Sequence, residues 1–176
     1  MLELATVLAG PGAGRLLADL GADVVKVEHP DRPDPTRAMG FPAPDGGPSL
    51  LWRITARNKV LRTADLKTDG GLEAVLALAA EADVLIENFR PGTLERLGLA
   101  PDVLWEANPT LVITRVTGFG QDGPHAGRPG FATIAETYRK YDPADARRSI
   151  WLVGQQKNFA TGANVNDRAG QALRAA

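Results

Sequence analysis

Apolar runs of strand length alternate with amphipathic helical segments through the first 118 residues, and few folds accept that order. Leu2 to Leu8 is apolar and partly β-branched, which predicts a strand, and Ala9-Gly10-Pro11-Gly12-Ala13-Gly14 then reads as a tight loop of turn-forming residues. Ala13, Leu16, Leu17 and Leu20 recur on one helical face, with Gly21 where a C-terminal glycine belongs, and Asp23 to Glu28 ("DVVKVE") reads as a second strand. The unit returns with Leu72, Val75, Leu76 and Ala79 on a helix that feeds the strand Val84-Leu85-Ile86. A helix beginning at Thr93, a short one from Pro101 to Ala107, and the strand "LVITRVTG" follow. Strands alternating with helices predict an α/β fold, a Rossmann-like parallel sheet with right-handed crossovers and helices on both faces. Pro30 to Pro48 is expected to be an irregular surface loop, because it is rich in proline and glycine.

After Glu136 the character changes. The last 40 residues hold 7 Lys and Arg against 3 Asp and Glu, leaving 13 against 18 before them, and the tail is only weakly periodic, with one strand candidate in "SIWLVG". This predicts a larger domain over 1–136 and a remnant of a small second domain over 137–176. With 176 residues, 44% of them hydrophobic and 23% charged, the chain has length for one core and a small appendage.

Charge and composition narrow the function classes. A net charge of -1 without blocks of like charge implies neither nucleic acid nor membrane as partner. The absence of cysteine removes disulfides, thiolate metal sites and a cysteine nucleophile, and His29 and His125, the two histidines, stand too far apart in sequence to suggest a metal site. No apolar run approaches the roughly 20 residues of a membrane span, and Met1 leads into a strand without the basic start of a signal peptide, so the expectation is a cytoplasmic protein without a metal.

Two stretches carry the strongest chemical signal. "AGPGAGR" with Glu28 ending the next strand has the outline of a dinucleotide site, but Arg15 stands where the third fingerprint glycine belongs, and close strand–helix packing explains the glycines equally well. At the end of the Val84 strand, Glu87-Asn88-Phe89-Arg90 places an amide, an aromatic ring and a guanidinium where open α/β sheets bind ligands, with Arg96 six residues beyond. Arg57-Asn58-Lys59, Asp65-Leu66-Lys67 and the glycine loop "TGFGQDGP" are weaker signals of the same kind.

Taken together, "VLAGPGAGRLLADLGADVVKVEHP", "DPTR", "RNK", "DLKT", "ADVLIENFRPGTLERLGL", "NPTLVITRVTGFGQDGP" and "RPGF" resemble, in order, the class III CoA-transferases, which include formyl-CoA and carnitine CoA-transferases and the related α-methylacyl-CoA racemases. The resemblance covers about residues 2 to 135. It implies transfer of coenzyme A between an acyl-CoA and a carboxylic acid by a homodimer, with CoA contacts at Leu8, Ala9, His29, Ala64, Asp65, Leu66, Lys67, Asn88, Phe89, Arg90 and Arg96. Leu8 replaces a glutamine and His29 an arginine of some transferases. The aspartate that attacks the acyl-CoA carbonyl in the transferases lies beyond a glycine-rich stretch that should follow "TIAE", and here "TIAE" runs directly into "TYRKYDPADARR". Ala132 stands where racemases carry their aspartate. Glu136, Asp142 and Asp145 are formal substitutes, none of which is assigned a role. No catalytic residue is therefore named. The tail resembles small-domain segments, so the chain reads as a CoA-binding portion joined to pieces of a second domain, truncated with an internal deletion. A non-catalytic CoA or acyl-CoA binding fragment and an NAD-dependent oxidoreductase are the alternatives, and uncovered apolar edges predict self-association.

Overall fold

The computed structural model describes residues 1–130 and the backbone of 160–161. Among the described residues β1 (Leu2–Leu4), β2 (Val24–Glu28), β3 (Lys59–Thr63), β4 (Val84–Glu87) and β5 (Val112–Arg115) lie in the order β3-β2-β1-β4-β5 of a sheet whose sixth strand is Ala160–Thr161. Its β1–β2, β1–β4 and β2–β3 pairs are parallel. The chain leaves β1 toward β2 and β3, then returns to the other side of β1 for β4. The order therefore reverses between β1 and β4, which makes that gap the topological switch point. Five helices connect the strands: α1 (Ala9–Asp19), α2 (Leu50–Thr55), α3 (Asp69–Ala80), the single turn α4 (Thr93–Arg96) and α5 (Pro101–Ala107). α1 packs on α2, and α3 packs on α5.

Contacts divide the chain into a unit of 1–88 and 94–113, which holds β1 to β4 and the start of β5, and a second unit of 89–93 and the chain from Thr114 onward. Within the second unit Thr114 and Arg115 pair antiparallel with Thr161 and Ala160.

The register sorts the strand residues onto two faces. Leu2 is level with Val25 and Leu85, and with Leu4 and Val27 it belongs to the face where Val75 of α3 packs. Leu2, Leu85 and Val75 are fully buried. Each such side chain contributes about 1.5–3 kcal/mol by leaving water. On the opposite face Glu3 is level with Lys26 and Ile86, and α1 lies over them. A Cβ on Gly10 would overlap the Ala5 side chain, and one on Gly14 would overlap the Glu3 carboxylate. These two glycines let the helix axis approach the sheet.

That packing corrects one expectation. Ala9 to Gly14 is the first turn and a half of α1 rather than a loop, and β1 ends at Leu4 rather than Leu8. The Pro30–Pro48 segment is also more ordered than its composition suggests: Asp34 caps a 3-10 turn over Pro35–Ala38, and Asp34, Thr36 and Ala43 are buried. α2 and β3 are additions to the expected elements. Ser49 caps α2 by accepting from the Trp52 N–H, while β3 is an edge strand with exposed Val60 and Leu61. The strand candidate "SIWLVG", the boundary after Glu136, and Ala132, Glu136, Asp142 and Asp145 lie outside the described residues.

Candidate functional site

Parallel strands end on one edge, and the predicted contact residues Leu8, Ala9, His29, Ala64 to Lys67 and Asn88 all follow the carboxyl ends of β1, β2, β3 and β4. At the switch point the Asn88 side chain grips the backbone beyond β1. Thr6 donates its N–H to Asn88 Oδ1 at 2.9 Å, and Asn88 Nδ2 donates to the Thr6 carbonyl at 2.7 Å. Val7, the next residue, has φ of 68°, in the left-handed region. For a β-branched side chain this backbone costs on the order of 1–3 kcal/mol and persists only where the surroundings impose it. Here they do: Val7 N–H lies 3.2 Å from both Asp34 carboxylate oxygens. The chain then turns into α1, with Leu8 and Ala9 exposed and no side chain capping the helix.

Beneath this turn lies a buried ionic network. Lys26 Nζ sits 3.0 Å from Glu3 Oε1 and 3.0 Å from Asp34 Oδ2, and donates to the Ala5 carbonyl at 2.6 Å. Lys59 Nζ bonds Glu3 Oε2 at 2.7 Å and the Pro11 carbonyl at 2.7 Å. Burial pushes the Lys59 ammonium down, against the Glu3 carboxylate that favours its charge. Burial pushes the Asp34 carboxyl up, but the Thr36 hydroxyl and amide and the Lys26 ammonium together hold it below the ordinary aspartate range. Two acids and two lysines thus neutralise one another, which makes the cluster affordable in a core.

The ends of β2 and β3 form a second junction. Ala64 N–H donates to the Glu28 carbonyl at 2.9 Å, extending the strand ladder. His29 Nε2 lies 3.5 Å from Asp65 Oδ1, while His29 Nδ1 accepts from the Asp31 N–H. Asp65 Oδ1 also accepts from the Lys67 N–H, folding 65–68 into a turn ahead of α3. His29 and Asp65 are half-buried, Leu66 is half-buried and Lys67 is exposed. Ala64 borders a cleft of about 340 Å³ between β2, β3 and α3, lined also by Val27, Arg62, Val75 and Leu78.

Arg96 is exposed at the end of α4. Phe89 and Arg90 belong to the second unit, where Phe89 is half-buried, Arg90 is exposed, and the Arg90 carbonyl accepts from the Thr93 N–H. Glu28, the ribose acceptor of a dinucleotide reading, is buried and engaged: it accepts from the Asp34 N–H at 2.9 Å and pairs with Arg37 at 2.6 Å. Sequence reasoning missed Thr6, Val7 and Asp34. The available signal was "DPTR", since an aspartate before a proline that opens a helical turn is a cap. Among the described residues no group of three or more His, Asp or Glu is arranged to hold a metal, and no helix is long and apolar enough to cross a membrane.

The model of CoA-transferase family III matches residues 1–139. Over 135 residues the chain is 49% identical to the succinyl-CoA–L-malate CoA-transferase beta subunit of Chloroflexus aurantiacus, covering 77% of this chain and 33% of that one. It is 48% identical over 136 residues to the succinyl-CoA–D-citramalate CoA-transferase of the same organism, covering 77% and 34%. The crystal structure of a CAIB/BAIF family protein from Brucella suis superposes with a TM-score of 0.72 at 30% identity, over 99% of this chain and 56% of that one. The chain spans about a third of the length of these curated relatives.

Proposed function

The chain belongs to CoA-transferase family III, and from that premise we propose that residues 1–130 form the CoA-binding part of an enzyme moving coenzyme A between an acyl-CoA and a carboxylic acid. The observation that carries the proposal is the edge at the switch point. There the exposed Leu8 and Ala9 stand at the uncapped start of α1, in the unit that also presents His29, Ala64 to Lys67 and Asn88 at strand ends. A helix start of this kind presents backbone N–H groups toward developing negative charge, as on a thioester oxygen. Lys67 and Arg96 are exposed cations for the phosphates of the nucleotide end. Phe89 and Arg90 are assigned to the same ligand, by resemblance alone. The family's action as a homodimer is carried over on the same terms.

A second reading, a CoA or acyl-CoA binding fragment without catalysis, is favoured by two features that rest on the family resemblance: Ala132 stands at the racemase acid position, and "TIAE" runs directly into "TYRKYDPADARR" instead of the glycine-rich stretch that precedes the transferase aspartate. A dinucleotide oxidoreductase is disfavoured, because Gly10 and Gly14 are used in packing and Glu28 is engaged by Arg37.

Calorimetric titration of the chain with CoA, with NAD as control, tests the common part of both readings. Saturable CoA binding without NAD binding is expected, and a folded chain that takes up no CoA would refute it. Transfer of label from succinyl-CoA to a dicarboxylic acid then separates the two, since label passes only in the first.

A further inference from the structure

We infer that Asn88 and Asp34 are positioning residues, which act through the Thr6–Val7 turn to hold Leu8 and Ala9 in the orientation that meets CoA; the inference rests on the CoA reading above. Both polar atoms of the Asn88 amide are engaged by the Thr6 backbone, one donating and one accepting. The side chain is thereby turned to the chain beyond β1, so its effect on a ligand passes through that turn.

Asp34 holds the same turn from the other side. Its two oxygens share the Val7 N–H at 3.2 Å. They are themselves fixed by Thr36 N–H at 2.9 Å, the Thr36 hydroxyl at 2.7 Å and Lys26 Nζ at 3.0 Å. Thr6 and Val7 are adjacent, so two independent anchors, 54 residues apart in sequence, fix consecutive peptide units.

Directly after these anchored peptide groups Val7 takes a backbone that a β-branched residue ordinarily avoids. A segment serving only to link β1 to α1 would relax or carry glycine there. Strain kept in place by two anchors, directly before the exposed residues of a binding edge, is the mark of a prearranged surface.

The test combines Asn88→Ala, Val7→Gly and the double variant, read by CoA titration, thermal melting and amide exchange of Thr6 and Val7. Val7→Gly removes the strain and frees the turn while keeping the backbone donor, so the protein is expected to melt no lower than wild type. Each single change is expected to weaken CoA binding by about tenfold, equivalent to about 1.4 kcal/mol. Together they should give little more than the same tenfold, because both release one turn. Exchange at Thr6 should quicken in Asn88→Ala. Additive losses of about a hundredfold with unchanged exchange would overturn the inference and make Asn88 a direct contact, and so would unchanged affinity in Asn88→Ala. A wild-type chain that binds no CoA would instead overturn the functional reading, and the exchange rates would then judge the anchors alone.

Discussion

On the α3 side of the sheet Leu2, Leu4, Val27 and Leu85 are buried, with the buried Glu87 level with Leu4, while on the α1 side Glu3 and Lys26 occupy the equivalent central positions and are no more exposed. The same three strands supply both faces. Apolar burial is non-directional, so the α3 side asks mainly for volume. The α1 side asks for position, because each charge there is neutral only with its partner at bonding distance. The turn that presents Leu8 and Ala9 is anchored to that positional side through Asp34. The fold thus sets a mainly apolar, more tolerant face against a more exacting one, which holds the turn before the proposed binding edge.

The contrast is sharpest at Lys26. Lys26→Met should destabilise the protein by about 3–5 kcal/mol, since buried Asp34 loses its cation and Glu3 keeps only Lys59. Leu85→Met on the other face should cost less than about 1.5 kcal/mol. Urea unfolding of both variants makes the comparison, and equal losses would break it. The next effect is at Gly14→Ala, which forces a methyl group into the Glu3 carboxylate and should cost about 1–3 kcal/mol.

Acid should act through the α1 side as well. The folded chain holds the Asp34 carboxyl below its ordinary range, so near pH 4 the unfolded chain binds the proton more readily. Stability is therefore complete above about pH 4 and falls as pH drops through and below it. Melting curves from pH 7 to pH 3 should show this fall, and Asp34→Asn should flatten it from a lower starting stability. Smallest of all, Gly12→Ala should stabilise α1 by about 0.4–1 kcal/mol, because no atom lies within 4 Å of the added methyl. Opposite signs at Gly12 and Gly14, two residues apart on one helix, would locate the exacting face by melting alone.

What was legible in the sequence follows the same division. The parallel sheet, β2, β4, β5, α3 and α5 were readable, because apolar periodicity reports burial directly. β3 was not, since "KVLRT" is an edge strand whose side chains are largely exposed, leaving no alternation to read. Helix α1 was placed to begin too late, because glycine reads as a breaker and its use in close packing depends on what lies opposite. Glu3 and Lys26 are isolated polar residues within apolar strands. Only the register, which sets them side by side, reveals that they neutralise one another. Of the candidate site, the carboxyl-edge location was foreseeable from the alternation of elements. The role of Asn88 toward Thr6 was not, because it depends on a partner 82 residues away.

That separation bears on how the chain matures during synthesis. β1 is made before the four strands that follow it in this sheet yet lies between β2 and β4, and β4, with Asn88, emerges 82 residues after Thr6. At about 5–20 residues per second the ribosome takes roughly 4–16 s to deliver it. Throughout that interval the segment bearing Leu8 and Ala9 lacks one of its two anchors. The proposed binding edge is thus completed only after β4 has followed its own residues out of the ribosome, and a nascent chain that ends before Asn88 cannot yet hold it.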